Sequence, residues 1–329
     1  MTTRRTVWMV GVWVLCGVWA CGGDDEGGGG PGPGPVVEGS IALSGLYADL
    51  RTETLAEGVM EYAPRFELWS DGAEKRRWLY LPPGTQIDTS DMDGWVFPVG
   101  TRAYKEFTRD GVRVETRMLE KVAPGEWASV AYLWDAEGTD AIATQAGARD
   151  VLGTMHDVPD EEGCGECHGT TADTLLGVSA IQLDHDGEGA TVVELVAGGW
   201  LTDAPAERFV LPGDAAAQAG LGYLHANCGN CHTDGADNPL RLWLEVGALA
   251  TVEGTPAYVT TVGEPSHTED PLPDTTATAL VEPGDPDASQ LYIRMQRRGR
   301  TPGGGLPWLG SELVDDAGSA AIADFIRAL

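Results

Sequence analysis

Two short stretches of this 329-residue chain repeat one arrangement of reactive side chains, "GCGECHG" at 163–169 and "NCGNCHT" at 227–233. Cys164, Cys167 and His168 form the first set. Cys228, Cys231 and His232 form the second, 64 positions further on (228 − 164). A separation of three residues sets two thiols on one side of a helical turn. Both thiols can add to the vinyl groups of a porphyrin, and the histidine that follows can reach the iron from the proximal side. Cys-x-x-Cys-His is the attachment signature of c-type heme. Two covalent heme c groups are therefore expected at Cys164, Cys167, Cys228 and Cys231, with His168 and His232 as axial iron ligands. Other chemistries fit the spacing less well. A zinc ribbon separates its cysteine pairs by roughly 15–20 residues, about a third of the gap here. A thioredoxin-like site needs one such pair beside a βαβ pattern, which is not evident.

These residues need elements to position them. Ahead of Cys228, "DAAAQAGLGYLHAN" (214–227) is rich in Ala and Leu and reads as a helix running into the motif. In "DDAGSAAIADFIRAL" (315–329), Ile322, Phe325, Ile326 and Leu329 recur at spacings of three and four, predicting an amphipathic closing helix. The first motif follows "HDVPDEEG", which Pro159 and the acidic run make a loop, so its helix is expected afterwards, in "TVVELVAGGWL" (191–201). Residues 41–150 differ. "WLYLPPGTQI", "GWVFPVGTRAYKEFTR", "RVETRMLEK" and "EWASVAYLWD" are β-branched and aromatic runs punctuated by turn dipeptides, the pattern of an antiparallel β-rich domain. Trp69, Trp78, Trp95, Trp127 and Trp134 are candidates for its core, with a ligand cleft as the alternative.

Helix, motif, loop and closing helix over residues 213–329 resemble a small cytochrome c domain. As a whole, residues 45–329 resemble a family of bacterial diheme c-type cytochromes with a β-rich N-terminal region. That resemblance rests on "FELWSDGAEKRRWLYLPPGT", "FPVGT", "ETRML" and the two Cys-x-x-Cys-His motifs. It implies heme at both motifs and names no reaction. The expected fold class is α+β: a β-rich antiparallel N-terminal domain (41–150), then a mainly α-helical diheme cytochrome c-like region. The latter divides into a first heme domain (151–212) and a second (213–329).

The sixth iron ligands are less legible. Many single-domain cytochromes c supply a Met ahead of Pro, but "GGGLPWLGSEL" puts Leu306 there, and leucine has no donor atom. For the second heme this leaves Met295, His267 or an open position. Met295 shares a helical face with Leu291 and Tyr292, so core filling is its competing role. For the first heme the candidates are Met155, His156 and His185; His185, in the polar "DHDGEG", reads first as a surface residue. His225, one turn before Cys228, is expected to pack near the heme edge. Met/His ligation raises a heme potential relative to bis-His, and a vacant position admits small oxidants.

Residues 1–20 carry Arg4 and Arg5 and then an apolar run from Val7 to Ala20, the form of a signal peptide and too short to span a bilayer comfortably. "VWAC" ends at Cys21 and resembles a lipobox, although Trp19 departs from the usual small residue. Residues 21–40 form a Gly/Pro-rich linker. The expectation is a periplasmic protein held to a cell-envelope membrane by a lipid on Cys21. Cys16 lies within the leader, so the four motif cysteines leave none over for a structural disulfide.

Charge narrows the partners. The chain has 21 Lys and Arg against 51 Asp and Glu, a formal −30, and −32 (19 − 51) without residues 1–20. Such a surface repels nucleic acid and anionic lipid and attracts a basic redox partner. The leading expectation is electron transfer through two hemes. A diheme oxidoreductase of peroxidase type, with one heme open to substrate, rests on Leu306. In a third class the β-rich half binds a ligand or an envelope partner. No catalytic residue is assigned.

Overall fold

The alternation in the N-terminal half folds into a six-stranded antiparallel meander. The computed structural model describes residues 38–160, 168, 173, 175–234, 239–266, 272, 275–298 and 311–329. Strands β1 (Tyr47–Asp49) and β2 (Thr54–Leu55) form a small separate ribbon. The sheet follows in chain order: β3 (Val59–Glu61), β4 (Glu74–Tyr80), β5 (Arg102–Arg109), β6 (Val112–Ala123), β7 (Glu126–Trp134) and β8 (Ala141–Thr144). Asp110 and Gly111, both at positive φ, make the two-residue turn between β5 and β6, where Arg109 pairs with Val112. That conformation matches the right-handed twist of paired strands.

Side chains alternate between the two faces. One face presents Trp78, Tyr104, Met118, Val130 and Tyr132, which pack with Ile41, Leu46 and Trp134. The other presents Lys75, Arg77 and Leu79 on β4, Ala103, Lys105 and Phe107 on β5, and Glu115, Arg117 and Leu119 on β6. Apolar ends of this second face are covered. Leu79 and Ala103 pack with Val178, Leu183 and Leu195, while Phe107 and Ala131 pack with Val151 and Val158. Among the tryptophans, Trp78, Trp95 and Trp134 are buried core residues.

Helices occupy the C-terminal half: α1 (Ala180–Leu183), α2 (Val192–Ala197), α3 (Ala215–Asn227), α4 (Pro256–Thr261), α5 (Gln290–Met295) and α6 (Asp316–Ala328). Asp214 caps α3 by accepting from the Ala216 and Ala217 amides, and Asp315 caps α6 by accepting from Gly318. The expected helices after the first motif, before the second and at the end of the chain are thus present as α2, α3 and α6. Ile322, Phe325 and Ile326 of α6 are buried against Leu221 and Leu224 of α3. The close approach depends on two glycines: a Cβ on Gly220 would overlap Phe325, and one on Gly318 would overlap the Tyr223 ring. The fold is α+β, with an antiparallel sheet and a set of mostly short helices. No helix among the described residues is long and apolar enough to cross a membrane. The leader, most of the linker with Cys21, and Cys164, Cys167, His267 and Leu306 lie outside the described residues.

Candidate functional site

Helix α3 delivers the second motif. Its last turn continues through the Cys228 and Gly229 amides, which donate to the Leu224 carbonyl at 2.9 and 2.8 Å. The Cys231 and His232 amides then both donate to the Cys228 carbonyl, at 3.1 and 3.0 Å. Cys-x-x-Cys-His is therefore one closed turn on the end of the helix, and the Leu242 amide ties its exit by donating to the His232 carbonyl. Gly229 is needed here because a Cβ would lie 2.7 Å from the His225 carbonyl oxygen and 2.9 Å from the Trp243 Cα. Cys228 packs against the core that holds Leu221, Leu224, Met295 and Phe325. Burial, and then the neighbouring Cys231, push the Cys228 thiol up to about 12. Thiol–disulfide exchange relies on a depressed thiol, so Cys228 is placed in the opposite environment.

The β-rich half grips this turn. Asn227, immediately before Cys228, accepts from the Trp69 amide at 2.7 Å and donates to the Glu67 and Tyr223 carbonyls, both at 3.1 Å. The Phe66 ring sits where a Cβ on Gly222 would be. Asp71 accepts from the Glu312 and Leu313 amides at 2.8–2.9 Å, just ahead of α6. Segment 66–71 thus clasps the end of α3 and the approach to α6. The hydrogen bonds made by this segment span 158 to 242 positions. "FELWSD" was visible in the sequence as a distinctive stretch, but its partners were not.

At the first motif His168 is half-buried. Five positions on, Asp173 is a buried hub missed by sequence reading. It accepts from the Phe97 amide, the Lys121 ammonium and the Trp127 indole, each at 2.6 Å. Its only sequence signal was one Asp among many. Lys121 and Asp173 have side chains 3% and 1% exposed, so each charge depends on the other.

The candidate sixth ligands fall in different places. Nε2 of His156 lies 2.6 Å from Glu115 Oε1, with its ring 5.2 Å from Phe107, so this nitrogen is engaged inside the sheet. Both nitrogens of His185 are engaged: Nε2 lies 2.8 Å from the distant Ala63 carbonyl, and Nδ1 accepts from the Gly187 amide of its own turn at 2.9 Å. Met155 is exposed. Met295 is 3% exposed, in the same core that Cys228 borders. Of the four, Met295 alone shares a packed cluster with a motif cysteine.

His225 does pack beside the motif. Its Nδ1 accepts from the Leu244 amide at 3.0 Å, and burial lowers it to about 4, so the ring is neutral. With Met92, Asp93, Gln182, Asn230 and Trp243 it lines a cavity of about 100 Å³. The buried Trp243 indole N–H has no hydrogen-bond partner among the described residues. Asp93 accepts from the Val246 amide at 2.9 and 3.1 Å, and burial is the main cause raising it to about 6. Among the described residues there is no cluster of three His, Cys, Asp or Glu side chains that would hold a bare metal ion. Comparison of the chain with protein-family models, curated proteins and solved structures returned no match.

Proposed function

We propose that the chain is a diheme c-type cytochrome that passes single electrons to and from a redox partner. Cys164 and Cys167 would hold one heme and Cys228 and Cys231 the other, with His168 and His232 as axial ligands. The supporting observation is the second motif's geometry: a closed turn on the end of α3 that sets Cys228 against the α3–α6 core. Three features support a porphyrin there: apolar packing around Cys228, a Cys228 thiol that burial pushes up, and a buried Trp243 indole N–H with no hydrogen-bond partner among the described residues. A bound heme would supply the ferric/ferrous couple, while the protein positions it and tunes its potential.

In this reading the leader directs export, and a lipid on Cys21 would tether the body to the cell envelope through the 21–40 linker. An acidic surface selects a basic partner. The test is the mass of denatured protein made in a host that attaches heme. Two hemes per chain and a positive heme stain are expected, with one heme lost in a Cys228→Ala/Cys231→Ala variant. A mass equal to the processed polypeptide plus lipid ends the proposal. Carbon monoxide then separates carrier from enzyme: two inert low-spin hemes support the carrier, and one reactive heme supports the peroxidase-type alternative.

A further inference from the structure

One short stretch of chain ties the second motif to a carboxylate from the β-rich half. Alternate amides of residues 242–246 are each engaged. The Leu242 amide donates to the His232 carbonyl and the Leu244 amide to His225 Nδ1, both at 3.0 Å. The Val246 amide donates to both Asp93 carboxylate oxygens, at 2.9 and 3.1 Å. Four residues cover at most about 14 Å of backbone, which fixes Asp93 close to the turn that presents His232.

The same residues open onto one cavity. Asp93, His225 and Trp243 line it together with Gly229 and Asn230, the two residues between Cys228 and Cys231. Its volume of about 100 Å³ is several times the roughly 10–15 Å³ that one water needs. Three N–H donors in its lining have no acceptor among the described residues. The first is the Trp243 indole. The second is the side-chain nitrogen of Gln182, which is 4% exposed and whose oxygen accepts from the Phe66 amide. The third is His225: a neutral ring that accepts at Nδ1 carries its proton on Nε2. Ordered water satisfies buried donors of this kind.

Resting on the diheme reading above, we propose that Asp93 takes up a proton from solvent, through water in this cavity, when the iron held by His232 gains one electron from the redox partner. Ferric iron becomes ferrous and the Asp93 carboxylate becomes a neutral carboxyl, so the net charge of the region is unchanged. Asp93 is a potential-setting residue that touches no reacting atom. Burial already raises its carboxyl to about 6, against the bond from the Val246 amide and with Glu245 and Asp91 adding to the rise. Those two carboxylates and the neutral His225 ring are the ionisable groups facing it. A ferric charge favours the ionised carboxylate, and its loss favours the proton. Each equilibrium therefore biases the other by the same factor.

The test uses the full holoprotein, with heme content checked first by mass. In redox titrations between pH 5 and 8, one of the two midpoint potentials should fall as pH rises, by up to about 59 mV for each tenfold fall in proton concentration, and level off at both ends. In Asp93→Asn, which keeps an acceptor for the Val246 amide, that potential should stay at its low-pH value throughout. Where Asp93→Asn does not hold two hemes, Glu245→Gln serves instead. It removes a charge that favours the protonated carboxyl, so the sloping region should move to lower pH. Reduced-minus-oxidised infrared spectra of the unaltered protein at pH 6–7 should gain a protonated-carboxyl band that Asp93→Asn lacks. Two hemes whose potentials ignore pH would overturn the inference. So would a slope that survives Asp93→Asn, or one that Glu245→Gln leaves in place. Fewer than two hemes in the unaltered protein would show instead that the diheme reading itself fails.

Discussion

Asp173 and Lys121 show how much one side chain can decide here. An isolated buried carboxylate or ammonium is far too costly to keep, and each is tolerated because the other sits 2.6 Å away. Asp173→Asn should cost about 3–5 kcal/mol, read as a lower urea midpoint at constant slope, because it strands the Lys121 charge. The double change Asp173→Asn/Lys121→Met, which removes the stranded charge and keeps an amide oxygen as an acceptor, should regain part of that loss. A single variant as stable as the unaltered protein would contradict the hub. Asp93 makes a second prediction at this scale. Its folded value of about 6 lies above its ordinary 3.8. Between these values the unfolded chain has released the proton that the folded one still holds, so stability falls as pH rises from about 4 to about 6. Below that window the group contributes nothing, and above it the penalty is constant. Asp93→Asn keeps an acceptor for the Val246 amide and should flatten this part of the stability–pH curve in urea melts at pH 4, 5 and 7. An unchanged slope would remove Asp93 from the account.

At the scale of elements, the pairing of α3 with α6 sets the second motif. Gly318→Ala should destabilise the protein by about 1–3 kcal/mol, the usual cost of overpacking, because a methyl there meets the Tyr223 ring. Gly222→Ala displaces Phe66 instead and loosens the grip of segment 66–71 on α3. Its signature should be faster proteolysis within residues 66–72 at a smaller global loss, and equal protection there would count against the clasp. Local pattern was enough to place these elements. The three-and-four spacing of Ile322, Phe325 and Ile326 and the Ala- and Leu-rich run before Cys228 both matched helices of 13 residues. Sequence also marked the strands through alternation and the Asp110-Gly111 turn. The clasp was invisible because Trp69–Asn227 and Asp71–Leu313 depend on chain path rather than on neighbouring residues.

For the whole molecule, charge is the dominant property. A formal −30 on 329 residues should steer a basic partner at long range. If the proposed diheme function holds, the second-order rate constant for electron exchange with a basic cytochrome should fall steeply as ionic strength rises from 10 to 500 mM, over which range the Debye length shrinks from about 30 Å to a few ångströms. Stopped-flow absorbance in the heme bands would measure it. A rate indifferent to salt, or equally fast with an acidic partner, would exclude electrostatic steering.

What the amino-acid order determined alone was chemistry of short range: paired thiols with a following imidazole, helix periodicity, strand alternation, turn dipeptides and net charge. Each depends on residues a few positions apart, where bond geometry dictates what can meet. Tertiary structure decided the rest. It engaged His156 with Glu115 and His185 with the Ala63 carbonyl, put Met295 in the core beside Cys228, and joined Asp173 to Lys121. It also lined up Arg77, Lys105 and Arg117 across three strands. Such juxtapositions follow from sheet register and from how buried charges find partners, and neither can be read until the chain has closed on itself.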